Sequence, residues 1–173
     1  MTRLLNFFVD VCLLRKGPQD LPASGVLLGI CIVLHFVVSV GGELLLSTQA
    51  LQAVAWSVLS ILIVVVATMA ALSLRGVSVR LQRVLTTFLG AEALLNIVFL
   101  PLSLALVQAG ATEQAPDPLI SLAWLVLFIW GFAIDGHIFR NALSSSFPAG
   151  VLVAALLFSI RYGIHRSLFE AVA

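Results

Sequence analysis

A chain of 173 residues that is 61% hydrophobic, only 10% charged and of mean hydropathy +1.16 departs from soluble domains, which run at about 45–50% apolar and about 25% charged. A water-soluble fold of this size has too little interior to hide that much apolar surface, so hydrocarbon is the expected solvent. A net charge of +1 excludes the basic face that nucleic-acid binding demands.

The first element is "TRLLNFFVDVCLLRK", residues 2–16. Arg3, Asn6 and Asp10 recur at spacings of three and four, which aligns them on one helical face. The remainder is Leu, Phe and Val, so the segment reads as an amphipathic helix lying in the membrane interface. No A-x-A cleavage site follows, and a removable leader is not expected.

"RKGPQDLPAS", Arg15 to Ser24, reads as an elbow. Gly17 and Pro18 are expected to stop the first helix. Asp20 is expected to cap the next one, with Pro22 in its first turn. "SFPAGVLV" at Ser146–Val153 resembles "DLPASGVLL" at Asp20–Leu28 and predicts a second turn into the membrane from the same side.

A bilayer core takes roughly 20 apolar residues per helix. Five stretches qualify, at about 21–40, 53–74, 84–107, 119–139 and 147–163. The expected fold is therefore an all-α polytopic bundle, a single transmembrane domain of five spans behind the interfacial helix. Basic residues set the orientation. With a cytoplasmic N-terminus that side holds Arg3, Arg15, Lys16, Arg75, Arg80, Arg83 and Arg140. The opposite side keeps Arg161 and Arg166, beside Glu43, Glu113, Asp117 and Glu170. The expected localisation is a bacterial inner membrane, with the N-terminus cytoplasmic and the C-terminus outside.

Polar groups within spans usually face the bundle interior and carry the chemistry. Glu92 lies about 12 Å into the third span at 1.5 Å per residue, and Asn96 and Ser103 continue its face. Pro101 removes a backbone bond and predicts a kink there. Asp135 sits near a helix C-terminus, where a carboxylate opposes the dipole, so a cationic partner is expected from Arg75, Arg80, Arg83 or Arg140. Two clusters follow from these depths. Glu92, Asn96, Asp135, His137 and Arg140 form one on the cytoplasmic side; His35, Glu43, Arg161 and His165 form another on the opposite side. Either they satisfy one another and fix helix register, or Glu92 belongs to a proton or ion path.

Gly25 with Gly29, and Gly150 with Ala154, have the four-residue spacing of close helix contacts. Cys12 and Cys31 have no metal or redox spacing and read as small hydrophobes. His137 and Asn141 form an H-x-x-x-N, one fragment of an intramembrane protease pattern whose E-E-x-x-x-R companion is missing. No G-x-S-x-G or phosphate-cradling glycine loop occurs. Neither an enzyme, nor a cofactor, nor a metal site is expected.

The layout of a cytoplasmic N-terminus, five closely spaced spans and short loops resembles the Yip family of membrane proteins. "RKGPQDLPAS", "RLQRVLTTFLGAEALLNIVFLPLSL" and "GHIFRNALSSSFPAGV" also look like stretches of small proteobacterial membrane proteins. The D-L-Y-G-P element of the eukaryotic branch is absent. The resemblance implies a polytopic protein acting through protein or lipid contacts, with no functional residue carried over. The expectation is thus a non-enzymatic scaffold, accessory subunit or membrane organiser, its partners being lipids, another membrane protein or itself. Arg75, Arg80 and Arg83 would meet partners or anionic headgroups. The alternative is a small transporter or proton-conducting protein using Glu92.

Overall fold

In hydrocarbon each backbone N–H and C=O must be satisfied within the protein, and a helix does this locally. The computed structural model describes residues 2–46, 49–112 and 115–170, the side chains of residues 2, 3 and 170 aside. It contains α1 (Thr2–Cys12), α2 (Gly25–Leu46), α3 (Ala50–Leu74), α4 (Leu81–Ala111), α5 (Pro118–Leu143) and α6 (Phe147–His165), with no strand among the described residues. Short 3-10 turns occupy Pro18–Asp20 and Ser78–Arg80, and a π-helical turn at Arg166–Glu170 extends α6. Five helices, α2 to α6, are long and apolar enough to cross a membrane. The expected five-span, all-α bundle is therefore present, with each helix running a few residues past one or both of its anticipated ends. Glu113 and the side chains of Arg3 and Glu170 lie outside the described residues.

The linkers after α3 and α5 lie at one end of the bundle, with the Pro18–Asp20 turn; this is the near end. The linkers after α2 and α4 mark the far end. In the near half α4 is the central helix, and all eight residues from Val84 to Ala91 are buried. Around them pack Val64 and Leu72 of α3 and Ile134, Ile138 and Phe139 of α5. Phe88 and Phe139 meet with ring centroids 5.6 Å apart. Thr86 and Thr87 tolerate this burial because each hydroxyl donates to the carbonyl four residues back, at 2.7 and 2.8 Å. Lipid-facing stripes run along the outside, for example Val26, Ile30, Val33 and Val37 on α2, all more than half exposed.

The elbow differs from expectation in two ways. Helix α1 ends at Cys12, well before Gly17, because Leu14 adopts a left-handed conformation at φ 60°. Arg15 N then donates to Asp10 O at 2.8 Å and Leu14 N to Val11 O at 2.9 Å, the paired bonds of a Schellman stop. Gly76 ends α3 in the same way, with Val77 N donating to Leu72 O at 2.9 Å. Nor does Asp20 cap the membrane helix. Its carboxylate accepts from Gly17 N at 2.9 Å, closing the turn over Pro18. Ser24 is the residue that caps α2, its Oγ accepting from Leu27 N at 3.3 Å. Pro22 consequently precedes α2, whereas Pro148 lies in the first turn of α6. The two similar stretches are built differently.

Helix α1 is docked on the bundle through Phe7, Phe8 and Val11, all buried. The Phe8 ring lies against Gly90, the one residue type that leaves room for it: a methyl group there would fall 2.7 Å from Phe8 Cδ1. Gly90 is about 13 Å along α4 from Leu81. Trp130 Nε1 donates to Cys12 O at 3.0 Å, and His137 Nε2 donates to Lys16 O at 3.1 Å. Residues 12–16 therefore climb α5 toward its near end. Of the anticipated polar stripe, Asn6 is exposed and Asp10 is paired with Lys16 at 2.8 Å. Burial, reinforced by the charge of Asp135, pushes the Cys12 thiol up to about 11.

Candidate functional site

Four ionisable side chains from four helices converge halfway through the bundle. Counted from the near end of each helix, Asp135 lies at about 12 Å, His35 at about 15 Å, Glu92 at about 16 Å and Arg161 at about 21 Å. Arg161 makes up the remaining distance with its side chain, since helical side chains lean toward the helix N-terminus and arginine is long. Its Nη1 donates to Glu92 Oε1 at 2.5 Å. His35 Nε2 stands 3.8 Å from Glu92 Oε2, with Ser39 Oγ 3.4 Å from the same nitrogen.

The two-cluster grouping is thereby corrected. Glu92 and Asp135 sit with Arg161 and His35 rather than apart from them. The helix-by-helix depth count placed backbones correctly and ignored how far the guanidinium reaches. Asp135 was expected to find its cation among Arg75, Arg80, Arg83 and Arg140; it shares a cavity with Arg161 instead. His137 belongs elsewhere, bound to the Lys16 carbonyl near the near end. A carbonyl can only accept, so His137 Nε2 carries the proton. Asn141 Nδ2 donates to His137 O at 2.8 Å, which gives the H-x-x-x-N spacing a structural role. Arg140 is exposed in the last turn of α5.

A cavity of about 380 Å³ opens from this group toward the far end, between α3, α4, α5 and α6. Glu92, Asp135 and Arg161 form its floor, and Glu43, Asn96 and His165 stand higher. One wall is aromatic, formed by Phe99, Phe128, Phe132, Phe158 and Tyr162, with Trp124 packed behind it. Phe99, Trp124, Phe128, Phe158 and Tyr162 follow one another with centroid separations of 5.2 to 6.0 Å, and Phe132 packs on both Phe128 and Phe158. His165 lies edge-on to Trp56 at 4.6 Å. A second, smaller cavity of about 170 Å³ between α2, α3 and α4 shares Glu43, Asn96 and Arg161 and adds Ser39, Ser57, Ser60 and Ser103. Ser103 Oγ accepts from Trp124 Nε1 at 3.3 Å.

Acceptors outnumber donors on this floor. Glu92 Oε2 and Asp135 Oδ1 are buried with no hydrogen-bond donor among the described residues. The hydroxyls of Ser57, Ser60 and Thr68, on the inner face of α3, are likewise buried without partners. That hydroxyl face, with Ser57, Ser60 and Thr68 at spacings of three and eight residues along α3, was present in the sequence but not singled out there. On the near side of Glu92 lie Phe88, Leu89, Ile134 and Ile138, each fully buried, and beyond them a separate cavity of about 360 Å³ is lined by Pro18, Arg80, Arg83, Asn141 and Ser144.

Arg75, Arg80 and Arg83 part company. Arg75 and Arg83 are exposed. Arg80 Nη1 donates to Ala142 O at 2.9 Å and to Ser144 Oγ at 2.7 Å, closing the C-terminus of α5 where Ser144 turns left-handed at φ 49°. Among the described residues no group of three or more His, Cys, Asp or Glu side chains is placed to hold a metal ion. Comparison with protein-family models, with curated proteins and with solved structures returned no match.

Proposed function

We propose that this chain is a non-enzymatic integral membrane protein of a bacterial inner membrane, with its N-terminus cytoplasmic, that acts through contacts with lipid or with other membrane proteins. The observation that carries this reading is the one-sided cavity. It reaches the Glu92–Arg161 pair from the far end, and the fully buried Phe88, Leu89, Ile134 and Ile138 lie between that pair and a separate near-end cavity lined by Pro18, Arg80, Arg83 and Asn141, the form of a receptacle rather than a pore. Exposed Arg75 and Arg83 at the near end supply a basic surface of the kind that anionic headgroups or acidic partner segments recognise. The resemblance to five-span Yip-type proteins agrees with a contact role.

Replacing Arg75 and Arg83 together by alanine should leave the protein inserted while removing its cross-links to partners in native membranes. An unchanged cross-linking pattern would reduce the loop to a topology signal. Arg80 is kept out of that variant because its loss would damage α5. The second reading, a carrier for protons or ions, draws on Glu92 facing a cavity. It requires flux into liposomes that disappears in Glu92→Gln.

A further inference from the structure

The floor of the cavity is rich in acceptors, and one wall is lined by rings. Its one guanidinium is engaged by Glu92 at 2.5 Å, so little positive charge is left over for an anion. Glu92 Oε2 and Asp135 Oδ1 have no donors among the described residues, and Glu43 adds a carboxylate nearer the mouth. With Glu92 engaged by Arg161, Asp135 and Glu43 are the carboxyl groups left to face a bound cation. Opposite them Phe99, Phe128, Phe132, Phe158 and Tyr162 offer ring faces and edges, and aromatic faces attract cations most strongly where water is excluded. The volume of about 380 Å³ falls in the range that holds small organic ligands.

We propose that this cavity binds one lipophilic cation, an ammonium or other onium centre carried on an apolar body, arriving from the far side of the membrane. The cationic centre sits over Asp135 and Glu92, and the apolar body lies along the aromatic wall. The same chemistry is offered by a free organic amine and by the ammonium of an aminophospholipid headgroup. This deepens the contact reading above by naming what the receptacle accepts.

The test uses full-length protein in nanodiscs of phosphatidylglycerol and equilibrium dialysis against labelled tetraphenylphosphonium. Saturable binding is expected, with labelled tetraphenylborate, of equal size and opposite charge, binding far more weakly when dialysed in a separate experiment. Asp135→Asn should weaken binding about tenfold or more, since it removes the carboxyl group that a bound cation would face on the cavity floor. Glu43→Gln, closer to the mouth and easier to tolerate, should weaken it severalfold, and Phe158→Leu should do the same without any change of charge. Arg75→Ala should bind like the parent. Adding phosphatidylethanolamine to the nanodiscs identifies the source. Competition assigns the site to a lipid amine, and unchanged affinity assigns it to a free cation.

Equal binding of the two tetraphenyl ions, or undiminished affinity in both Asp135→Asn and Glu43→Gln, would overturn the proposal. So would absence of binding in parent protein that retains its thermal transition. Those failures would leave the Arg75/Arg83 cross-linking result untouched, so the two readings fall separately.

Discussion

Two small-residue motifs with the same spacing make opposite predictions once the packing is known. At Gly150 an added methyl carbon would lie 2.7 Å from the Arg140 backbone nitrogen and closer still to the Gly136 carbonyl oxygen. Both obstacles are backbone, so no rotamer change relieves them. Ordinary contact begins near 3.4 Å, so α5 and α6 must part by about 0.7 Å or more at their crossing, which forfeits a large share of the attraction between the facing atoms. Overpacking of this kind costs about 1–3 kcal/mol, and a rigid obstacle puts Gly150→Ala toward the upper end. Gly29 has nothing within 4 Å of the same position. There the substitution meets only lipid, and alanine's better helix formation should add about 0.5–1 kcal/mol. Unfolding in mixed micelles titrated with dodecyl sulfate, followed by circular dichroism, should therefore separate the two variants on opposite sides of the parent. Gly150→Ala matching the parent, or Gly29→Ala proving the more damaging, would refute the assignment of the α5–α6 crossing.

In a Cys31→Ser background, Cys12 should alkylate with iodoacetamide about a hundredfold more slowly at pH 8 than a thiol of ordinary pKa, because the thiolate is the nucleophile and its pKa has risen from 9.0 to about 11. The sign is fixed by that direction: the rate keeps climbing between pH 9 and 11, and adding Gly90→Ala, which pushes Phe8 and α1 away, should accelerate it. Arg80→Ala should cost about 1–2 kcal/mol in micelle unfolding through the lost cap on α5, while Arg75→Ala stays within about 0.5 kcal/mol; equal effects would contradict the contacts to Ala142 and Ser144. Arg161→Ala should destabilise by about 3–5 kcal/mol because it strands Glu92 in the interior. Adding Glu92→Leu should return most of that loss, and failure to recover would mean that Arg161 acts through something other than the pair.

The spans were legible because run length and hydropathy alone identify them in a lipid solvent, and Pro118 and Phe147–Pro148 mark two of their starts. Helix stops were legible only where glycine carries the left-handed residue. Gly76 does so; Leu14 and Ser144 reach the same conformation with ordinary side chains, and nothing in their identity announces it. Docking of α1 was hidden for a related reason. An amphipathic stripe reports that one face is apolar, and lipid or protein can cover that face equally well; the glycine that admits Phe8 lies more than 80 positions away in the chain. The site was half legible. Glu92, Asp135, His35 and Arg161 stood out as charges in apolar helices, but their meeting depends on a long arginine leaning back toward the start of α6. Residue counting along separate helices does not contain that information.

What holds such a bundle together differs between its halves. Moving a leucine from lipid to a helix interface exchanges one apolar neighbour for another, so burial as such contributes little, and close backbone approach and polar pairing decide association. The near half has the close approach: Gly136 against α6, Gly150 against α5, and Gly90 under Phe8. The far half lacks glycine contacts of this kind; Gly110 and Gly131 meet nothing within 4 Å. There α4 and α6 are joined across a gap by Glu92 and Arg161, and the gap is the cavity. A bundle zipped tightly at one end, and held in its other half by the Glu92–Arg161 pair, the Trp124–Ser103 hydrogen bond and ring contacts, keeps that cavity in the half where backbones approach less closely. The positions that set this balance are the ion pair and the crossing glycines, not the apolar residues that fill most of the sequence.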